Sequence, residues 1–298
     1  MTIEEGVPLS RFTTIGTGGP ARAFARPETL EELRAALRWA KEHSLGIAVI
    51  GLGSNMLAAD EGVDVLVLKL AGELARAEVR DRTLLAGGGA PLAVCLHRAR
   101  QAGLGGIEFT CAIPGTIGGG VWMNAGAYGG DVAGVLSRAL VVDEEGAAWC
   151  TPEELGLAYR RSNLRHGQVV ALSELALEPR DPGEIKSLVG ELQARRKAAQ
   201  PTNKRTFGSV FKNPEHDLTA GRMLEACSLR GYRIGGARIS PRHANFIENA
   251  ENARSADAVA LMAEARARAL ERFGVELQHE VQLLGPIALP PAGARATG

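Results

Sequence analysis

The sequence predicts a mixed α/β fold from three observations: a helical hydrophobic pattern, strand-like segments beside it, and glycine-rich turns between elements. A helix is predicted to begin at a capping box formed by Thr29 and Glu32 and to end at Gly46. Its apolar face consists of Leu30, Leu33, Leu37 and Ala40. A buried strand at 47–50 follows and leads straight into a turn of mostly small residues, Gly51-Leu52-Gly53-Ser54-Asn55.

The next segment again contains predicted strands followed by a helix. A strand is predicted at 65–68, and a hairpin pairs 75–79 with 83–86 around a turn at Asp81-Arg82. Gly87-Gly88-Gly89 then opens a helix that has Pro91 in its first turn. The inward face of this helix consists of Leu92, Cys95, Leu96 and Ala99.

Residues 103–134 are dense in glycine, notably in the segments 113–120 and 124–130. Glycine loses much backbone entropy on folding and adds nothing to a core, so this density indicates close approach of the backbone to a ligand. A long flexible linker is the alternative. The interleaved Ile and Val residues, with Trp122 and Met123, favour an ordered loop.

The second half of the chain has the same mixture of elements. Strands are predicted at 139–142, 147–150 and 169–177. A short helix starts at 151–154, and a longer helix is capped at Asp181. The longer helix places Ile185, Leu188, Val189 and Leu192 inward. The polar segment 200–205 is a candidate domain boundary.

Beyond this boundary two further helices are predicted, near 218–227 and from Ser255 to a stop at Gly274. The final strand is predicted at 275–284, with Val275, Leu277, Val281 and Leu283 on one face. Residues after Gly285 are rich in Pro, Ala and Gly, and we expect them to be frayed.

Bulk properties exclude several classes of function. The 298 residues have a formal net charge of +0, so nothing global attracts the chain to nucleic acid or to a membrane surface. The four cysteines, Cys95, Cys111, Cys150 and Cys227, are widely separated and form no metal-site spacing. No signal-peptide pattern and no apolar run near the roughly 20 residues of a membrane span is present. We therefore expect a cytoplasmic monomer without a metal ion.

Two glycine-rich turns are candidates for binding a pyrophosphate. Successive backbone N–H groups at 51–55 and at 114–120 can form concave anion sites, and two such loops together are stronger evidence than one. The dinucleotide-binding fingerprint and the P-loop are both absent, so a nucleotide site here is of another kind. Ordinary turn glycines remain the alternative.

Several polar residues each have two possible interpretations, one functional and one structural. Ser209, after Gly208, is either a proton donor held near a ligand or a turn hydroxyl that bonds its own backbone. Arg160 or Arg161 presents a planar fork to a carboxylate or enolate, or complements a helix dipole. Glu280 is a solvated carboxylate unless another domain covers it.

His243 is either a polar loop residue or a ligand contact, with contact slightly favoured. A group of basic residues lies on both sides of Ser209 in the sequence. It forms either a solvated face or a site for an anionic substrate. Its members are Arg195, Arg196, Lys197, Lys204, Arg205 and Lys212.

Taken in order, a set of motifs resembles the UDP-N-acetylenolpyruvoylglucosamine reductase family over nearly the whole chain. The motifs lie at 13–20, 51–55, 113–119, 124–129, 159–162, 208–214, 243–245 and 280–281. The resemblance implies a vanillyl-alcohol-oxidase (PCMH)-type FAD-binding fold with a C-terminal α/β substrate domain. It also implies non-covalent FAD, NADPH as reductant, and a UDP-sugar that bears an enolpyruvyl group as substrate.

The resemblance implies roles for single residues. Ser209 matches the proton donor, and Arg160 and Glu280 match the polarising pair. The implied FAD-binding residues are Gly51, Leu52, Gly53, Ser54, Asn55, Gly88, Ile113, Pro114, Gly115, Thr116, Gly118, Gly120 and Val170. The implied substrate contacts are Lys197, Lys212, Asn213 and His243, with Lys197 the least secure alignment.

The implied organisation is two FAD-binding subdomains at 1–60 and 61–200 and a substrate domain at 201–298. A subset of the family carries a loop that places a tyrosine over the substrate, and no spare segment between Leu164 and Gln200 accommodates it, so this chain resembles the shorter, second type. Two other functions stay open: a flavin oxidase on the same fold, and a FAD or nucleotide-sugar sensor without chemistry.

Overall fold

The computed structural model describes residues 1–292. Its α-helices are α1 (Leu30–Glu42), α2 (Leu92–Gln101), α3 (Ile117–Trp122), α4 (Pro182–Ala199), α5 (Ala220–Ala226) and α6 (Ser255–Phe273). Its first strands are β1 (Ile3–Pro8), β2 (Pro20–Ala25), β3 (Gly46–Val49), β4 (Met56–Ala58), β5 (Val63–Leu68), β6 (Ala77–Arg80), β7 (Thr83–Gly87), β8 (Leu104–Gly105), β9 (Gly126–Ala127) and β10 (Gly130–Asp131). The later strands are β11 (Leu136–Val142), β12 (Ala147–Cys150), β13 (Val169–Ala176), β14 (Glu178–Pro179), β15 (Thr206–Ser209), β16 (Arg233–Ile234), β17 (Ala237–Ile239), β18 (Phe246–Asn249) and β19 (Gln282–Leu284).

The chain forms two compact units. The first contains Met1–Glu5, Ala23–Leu52 and Asp64–Arg196. The second contains Gly6–Arg22, Gly53–Val63 and, among the described residues, 197–292. The three-domain division at 60 and 200 stays a prediction.

The first unit is built on two sheets. One has five antiparallel strands in the order β12-β11-β13-β7-β6, and the other has the order β1-β2-β5-β3, with β3 parallel to β5. Helix α1 covers the second sheet through its buried face, which includes Leu33, Ala36, Leu37 and Ala40. Helix α2 buries Leu92, Cys95, Leu96 and Ala99, as the sequence predicts.

The glycine-rich segment at 103–134 is ordered. Ile117 and Val121 of α3 are 2% and 0% exposed and belong to the same apolar cluster as α2. Since its apolar residues enter a core, the flexible-linker alternative is excluded for this segment.

The second unit has a sheet in the order β15-β18-β17-β16, covered by α5 and α6. Helix α6 ends at Gly274, which adopts φ 66°, as the sequence predicts. At its other end, the Asp60 carboxylate accepts hydrogen bonds from the backbone N–H groups of Ser255 and Ala256. None of the helices in residues 1–292 has the length and apolarity that crossing a membrane requires.

One predicted helix end and one predicted short helix are wrong. Gly46 does not end α1: the helix ends at Glu42, Ser44 takes the left-handed backbone at φ 53°, and Gly46 begins β3. The capping pattern at Thr151 and Glu154 forms, but the chain closes into turns rather than a helix. Gly156, at φ 54°, stops any continuation after one turn.

The predicted strand at 275–284 is shorter, because the segment changes partners. Residues 278–280 bond to the 210–212 segment, whereas only 282–284 form a strand, parallel to β4. The expected fraying after Gly285 is wrong for Ile287 and Leu289, which pack against the core of the second unit. Residues 293–298 lie outside the described residues.

Candidate functional site

Glycine-rich segments converge in the first unit. Gly51 faces Thr116, where an added side-chain carbon would come within 2.6 Å of the threonine Oγ1. The N–H of Gly118 donates to the carbonyl of Gly88 at 2.8 Å, and a side chain at Gly88 would collide with the carbonyl oxygen of Val170. The structure therefore brings these five predicted FAD-binding residues together.

The glycines of these segments fall into two groups according to whether the surrounding protein leaves room for a side chain. Gly51, Gly88 and Gly118 are required by contacts within the protein, since each added side chain would meet a neighbouring group inside 3.0 Å. Gly115 and Gly119 are different, because a side-chain carbon there would meet the nearest atom only at 3.6 and 3.8 Å. A side chain at either position would make only ordinary van der Waals contact, so packing within the protein does not require glycine there.

Lys69 was missed by the sequence analysis. Its Nζ donates to the carbonyl of Gly51 at 2.6 Å, and burial, followed by the positive charge of Arg26, lowers its pKa. It lies directly after the apolar strand β5, and a lysine that ends a buried strand is a signal that could have identified it.

Arg160 lies in a tight turn of the first unit. Ala158 and Arg161 exchange two backbone hydrogen bonds of 3.1 Å, and Arg160 between them adopts φ 53°, a left-handed backbone that is uncommon for a residue with a side chain. Its Nη2 donates to the carbonyl of Gly126 at 2.6 Å. The guanidinium carbon lies 5.0 Å from the ring of Tyr159, which is 55% exposed. The turn therefore fixes the backbone at Arg160, and the bond to the Gly126 carbonyl helps to orient the guanidinium.

In the second unit, a backbone hydrogen bond connects the segments that carry Ser209 and Glu280. Ser209 ends β15, and the next residue, Val210, accepts a 2.9 Å hydrogen bond from the N–H of Glu280. Asn55 belongs to the same network, because its side-chain amide donates to the carbonyl of Glu280 at 3.0 Å and its carbonyl accepts from Gln282. One residue of the glycine-rich 51–55 motif thus fixes the Glu280 backbone.

Buried Asn245 holds the chain that follows Ser209. Its Oδ1 accepts from the N–H of Phe211 at 3.0 Å, and its Nδ2 donates to the Phe211 carbonyl at 2.8 Å. Its own carbonyl accepts from Val210 at 2.9 Å. Because both polar backbone groups of Phe211 depend on one side chain, Asn245 fixes the segment between Ser209 and Lys212.

We expect Asn245→Ala to lower the free energy of unfolding by about 2–6 kcal/mol, since it leaves two buried backbone groups unpaired at about 1–3 kcal/mol each. Urea unfolding measures this. The matched control is Asn249→Ala, whose half-buried side chain also bonds to two backbone groups, those of Ile15 and Ala253, where water can replace the amide. A loss at Asn245 no larger than that at Asn249 contradicts this role.

All four predicted substrate contacts lie in the second unit. The Asn213 Oδ1 accepts from the N–H of Ala220, and the His243 ring lies against the next residue, Gly221. Lys212 is half-buried and donates its N–H to the Gln278 carbonyl at 2.9 Å. Lys197 is exposed, and its carbonyl accepts from Arg242, the residue before His243, at 2.5 Å.

His243 is held as a neutral imidazole. Burial lowers its pKa, the positive charges of Arg230 and Arg222 lower it further, and the Glu225 carboxylate opposes them. Its Nδ1 accepts from the N–H of Asn245 at 3.2 Å, which places the proton on Nε2.

This shift predicts a pH dependence of stability. Because the folded pKa lies below the unfolded value of about 6.5, the unfolded chain binds the proton first as the pH falls. His243 therefore contributes stability above about pH 6.5 that is lost as the pH falls through the lowered pKa. We expect the stability advantage of the parent protein over His243→Gln to shrink between about pH 7 and pH 5. An advantage that stays constant over this range contradicts the shift.

Comparisons with known proteins agree over most of the chain. Residues 200–284 match the family of UDP-N-acetylenolpyruvoylglucosamine reductase C-terminal domains, and residues 21–150 match a FAD binding domain family. Among relatives, UDP-N-acetylenolpyruvoylglucosamine reductase 2 of Symbiobacterium thermophilum is 43% identical, covering 95% of this chain and 92% of its own length. The reductase of Limosilactobacillus reuteri is 39% identical, with 95% of each chain covered.

A solved structure is also similar. The crystal structure of UDP-N-acetylenolpyruvylglucosamine reductase (MurB) from Thermus caldophilus superposes with a TM-score of 0.83 at 37% identity, covering 95% of this chain and 99% of that one. Together with the FAD binding domain match, this confirms the predicted fold class, a PCMH-type FAD-binding fold with a C-terminal α/β domain.

Proposed function

The chain belongs to the UDP-N-acetylenolpyruvoylglucosamine reductase (MurB) family, and from this premise we propose that it reduces the enolpyruvyl double bond of UDP-N-acetylglucosamine enolpyruvate. The product is UDP-N-acetylmuramate, a precursor of peptidoglycan, and the reductant is NADPH. The observation that carries the proposal is the likeness to reductases of this family over 95% of the chain.

The residues of the first unit fit non-covalent FAD. Gly115 and Gly119 flank Thr116 at positions where packing does not require glycine, and Gly51, Gly88, Gly118 and Val170 support that loop. We assign the cofactor contacts of the first unit to these residues with Leu52, Ile113, Pro114 and Gly120. The resemblance also implies contacts from Gly53, Ser54 and Asn55, which belong to the second unit. When bound, FAD supplies hydride chemistry that no amino-acid side chain provides.

Ser209 is assigned the proton transfer. After hydride addition at the terminal vinyl carbon, the carbon beside the carboxylate needs a proton, and the Ser209 hydroxyl donates it. A serine hydroxyl is a weak acid in water, so this role depends on fixed placement. Support comes from the backbone on both sides, because Gly208 adopts φ 82° and Asn245 holds residues 210 and 211.

Arg160 and Glu280 are assigned to polarise the substrate. The enolate that forms next to the carboxylate needs charge and hydrogen bonds that are already in place, and a guanidinium supplies both. The hydrogen bond from Arg160 to Gly126 uses one nitrogen of the fork. Glu280 is fixed in the same backbone network as Ser209, which suits a role next to the proton donor.

The substrate diphosphate is assigned to Lys197, Lys212, Asn213 and His243. Lys212 and Lys197 supply positive charge, and the neutral His243 supplies a donor at Nε2. The resemblance to the shorter, second type implies that no inserted tyrosine loop lies between 164 and 200, so the substrate must be covered in another way. The three-domain division, with the substrate domain at 201–298, belongs to this proposal.

Product analysis tests the function. Purified protein incubated anaerobically with NADPH and the enolpyruvyl nucleotide sugar should convert it to a product heavier by two hydrogen atoms, as measured by mass spectrometry. Oxygen consumption with an alcohol or sugar and no reaction with the enolpyruvyl substrate would instead identify a flavin oxidase. Tight binding of the nucleotide sugar without any conversion would identify a sensor.

A further inference from the structure

Asn124 is buried in the first unit and carries more hydrogen bonds than a turn residue needs. It is 3% exposed and adopts φ 40°, in the left-handed region. Its Oδ1 accepts from the N–H of Ala133 at 2.9 Å, and its Nδ2 donates to Asp131 Oδ2 at 3.1 Å. These two bonds close the glycine-rich turn between Asn124 and Ala133.

A third bond leaves that turn. The same Nδ2 donates to the carbonyl of Ala158 at 3.2 Å. Ala158 begins the tight turn that contains Arg160, and its backbone is paired with Arg161. The carboxamide of Asn124 therefore holds the backbone from which the Arg160 side chain extends.

The residues next to Asn124 contact the same turn at two more points. The carbonyl of Gly126 accepts from Arg160 Nη2 at 2.6 Å, and the carbonyl of Trp122 accepts from Ser162 Oγ at 2.7 Å. The segment 122–126 thus bonds to the turn before, at and after Arg160. A left-handed backbone at a residue with a side chain persists only where its surroundings fix it, and this segment supplies those bonds.

We propose that Asn124 is a positioning residue for the reduction of the substrate, acting through the guanidinium of Arg160. This inference rests on the proposed function, since it takes Arg160 as the group that stabilises the enolate. Asn124 touches neither reacting atom in this proposal. Its effect is to set where the guanidinium lies, and a displacement of about 1 Å at a catalytic group can cost on the order of 10²-fold in rate.

The structure offers a substitution that separates this role from folding. In the double variant Asn124→Asp with Asp131→Asn, the 124 carboxylate accepts from Ala133 and from the new amide at 131, so the turn stays closed at unchanged charge. Residue 131 keeps an oxygen for the N–H of Gly134, which Asp131 accepts at 3.1 Å. Aspartate also tolerates the left-handed backbone. The donor to the Ala158 carbonyl is lost, and a carboxylate oxygen that repels this carbonyl takes its place.

The test is a double-mutant cycle on the rate at which the enolpyruvyl substrate reoxidises NADPH-reduced protein. The double substitution at 124 and 131, called the exchange variant, is made in the parent protein and in Arg160→Ala. FAD content and the rate of reduction by NADPH are measured for each protein. We expect the exchange to slow reoxidation by about 10- to 100-fold in the parent and by less than about twofold in Arg160→Ala. The control, Asp143→Ala, removes turn bonds to Glu145 and Gly146 in the same unit. Its effect should be the same in both backgrounds.

Two outcomes overturn the inference, and they are distinguishable. If the exchange slows reoxidation equally in both backgrounds, Asn124 does not act through Arg160, and the role of Arg160 stands. If Arg160→Ala alone leaves reoxidation unchanged, the proposed role of Arg160 fails and the inference fails with it.

Discussion

Replacing Ser209 with alanine is expected to slow reduction of the enolpyruvyl substrate by roughly 10²- to 10⁴-fold, the usual contribution of a positioned proton donor. FAD content and reduction by NADPH should stay at parent levels, because the hydroxyl is needed only once the substrate carbon requires a proton. Stopped-flow absorbance of the flavin measures the two half-reactions separately.

Ser173→Ala is the matched control for this variant. Ser173 is 0% exposed, and its Oγ has no hydrogen-bond partner among the described residues, so its loss removes a buried hydroxyl at little cost. We expect both half-reactions of this variant to match the parent. Reoxidation of Ser209→Ala within about twofold of the parent rate would assign the proton to another donor.

Arg160→Lys is expected to slow the same half-reaction by roughly 10²- to 10³-fold although the charge is retained. Lysine has a point charge and lacks the planar fork, so it cannot reproduce the directed bond to the Gly126 carbonyl or the geometry with which a guanidinium recognises a carboxylate or enolate. Saturating substrate should not restore the rate, because the lost interaction is made mainly in the transition state.

Arg161→Lys controls for the neighbouring charge. Arg161 is exposed, and its two hydrogen bonds to Ala158 come from its backbone, which the substitution retains. Near-parent kinetics are expected for this variant. Parent kinetics in Arg160→Lys together with a large loss in Arg161→Lys would move the polarising role to Arg161.

Much of the fold could be predicted from the sequence where a local pattern determines it. The buried face of α2 and the stop of α6 at Gly274 follow from periodicity and from a glycine in the left-handed region. The segment at 275–284 could not be predicted in the same way. Its alternating pattern is real, but the residues bond first to 210–212 and then to β4, and pairing partners are set by tertiary contacts.

The candidate site could also be predicted from the sequence only in part. Glycine-rich loops and the residues Arg160, Ser209 and Glu280 could be singled out as candidates because their types and motifs are visible. The residues that support them could not. Asn245 and Asn124 act through bonds to the backbone of Phe211 and Ala158, each 34 residues away. Sequence distance of this kind leaves no local pattern.

The proposed reaction is tested most directly by an anaerobic titration of the purified protein followed by visible absorption. We expect a flavin spectrum that bleaches when NADPH is added and returns when the enolpyruvyl nucleotide sugar follows. This single cycle identifies the cofactor, the electron donor and the acceptor. A colourless protein that FAD cannot reconstitute, or a reduced flavin that the nucleotide sugar leaves bleached, would contradict the proposed reaction.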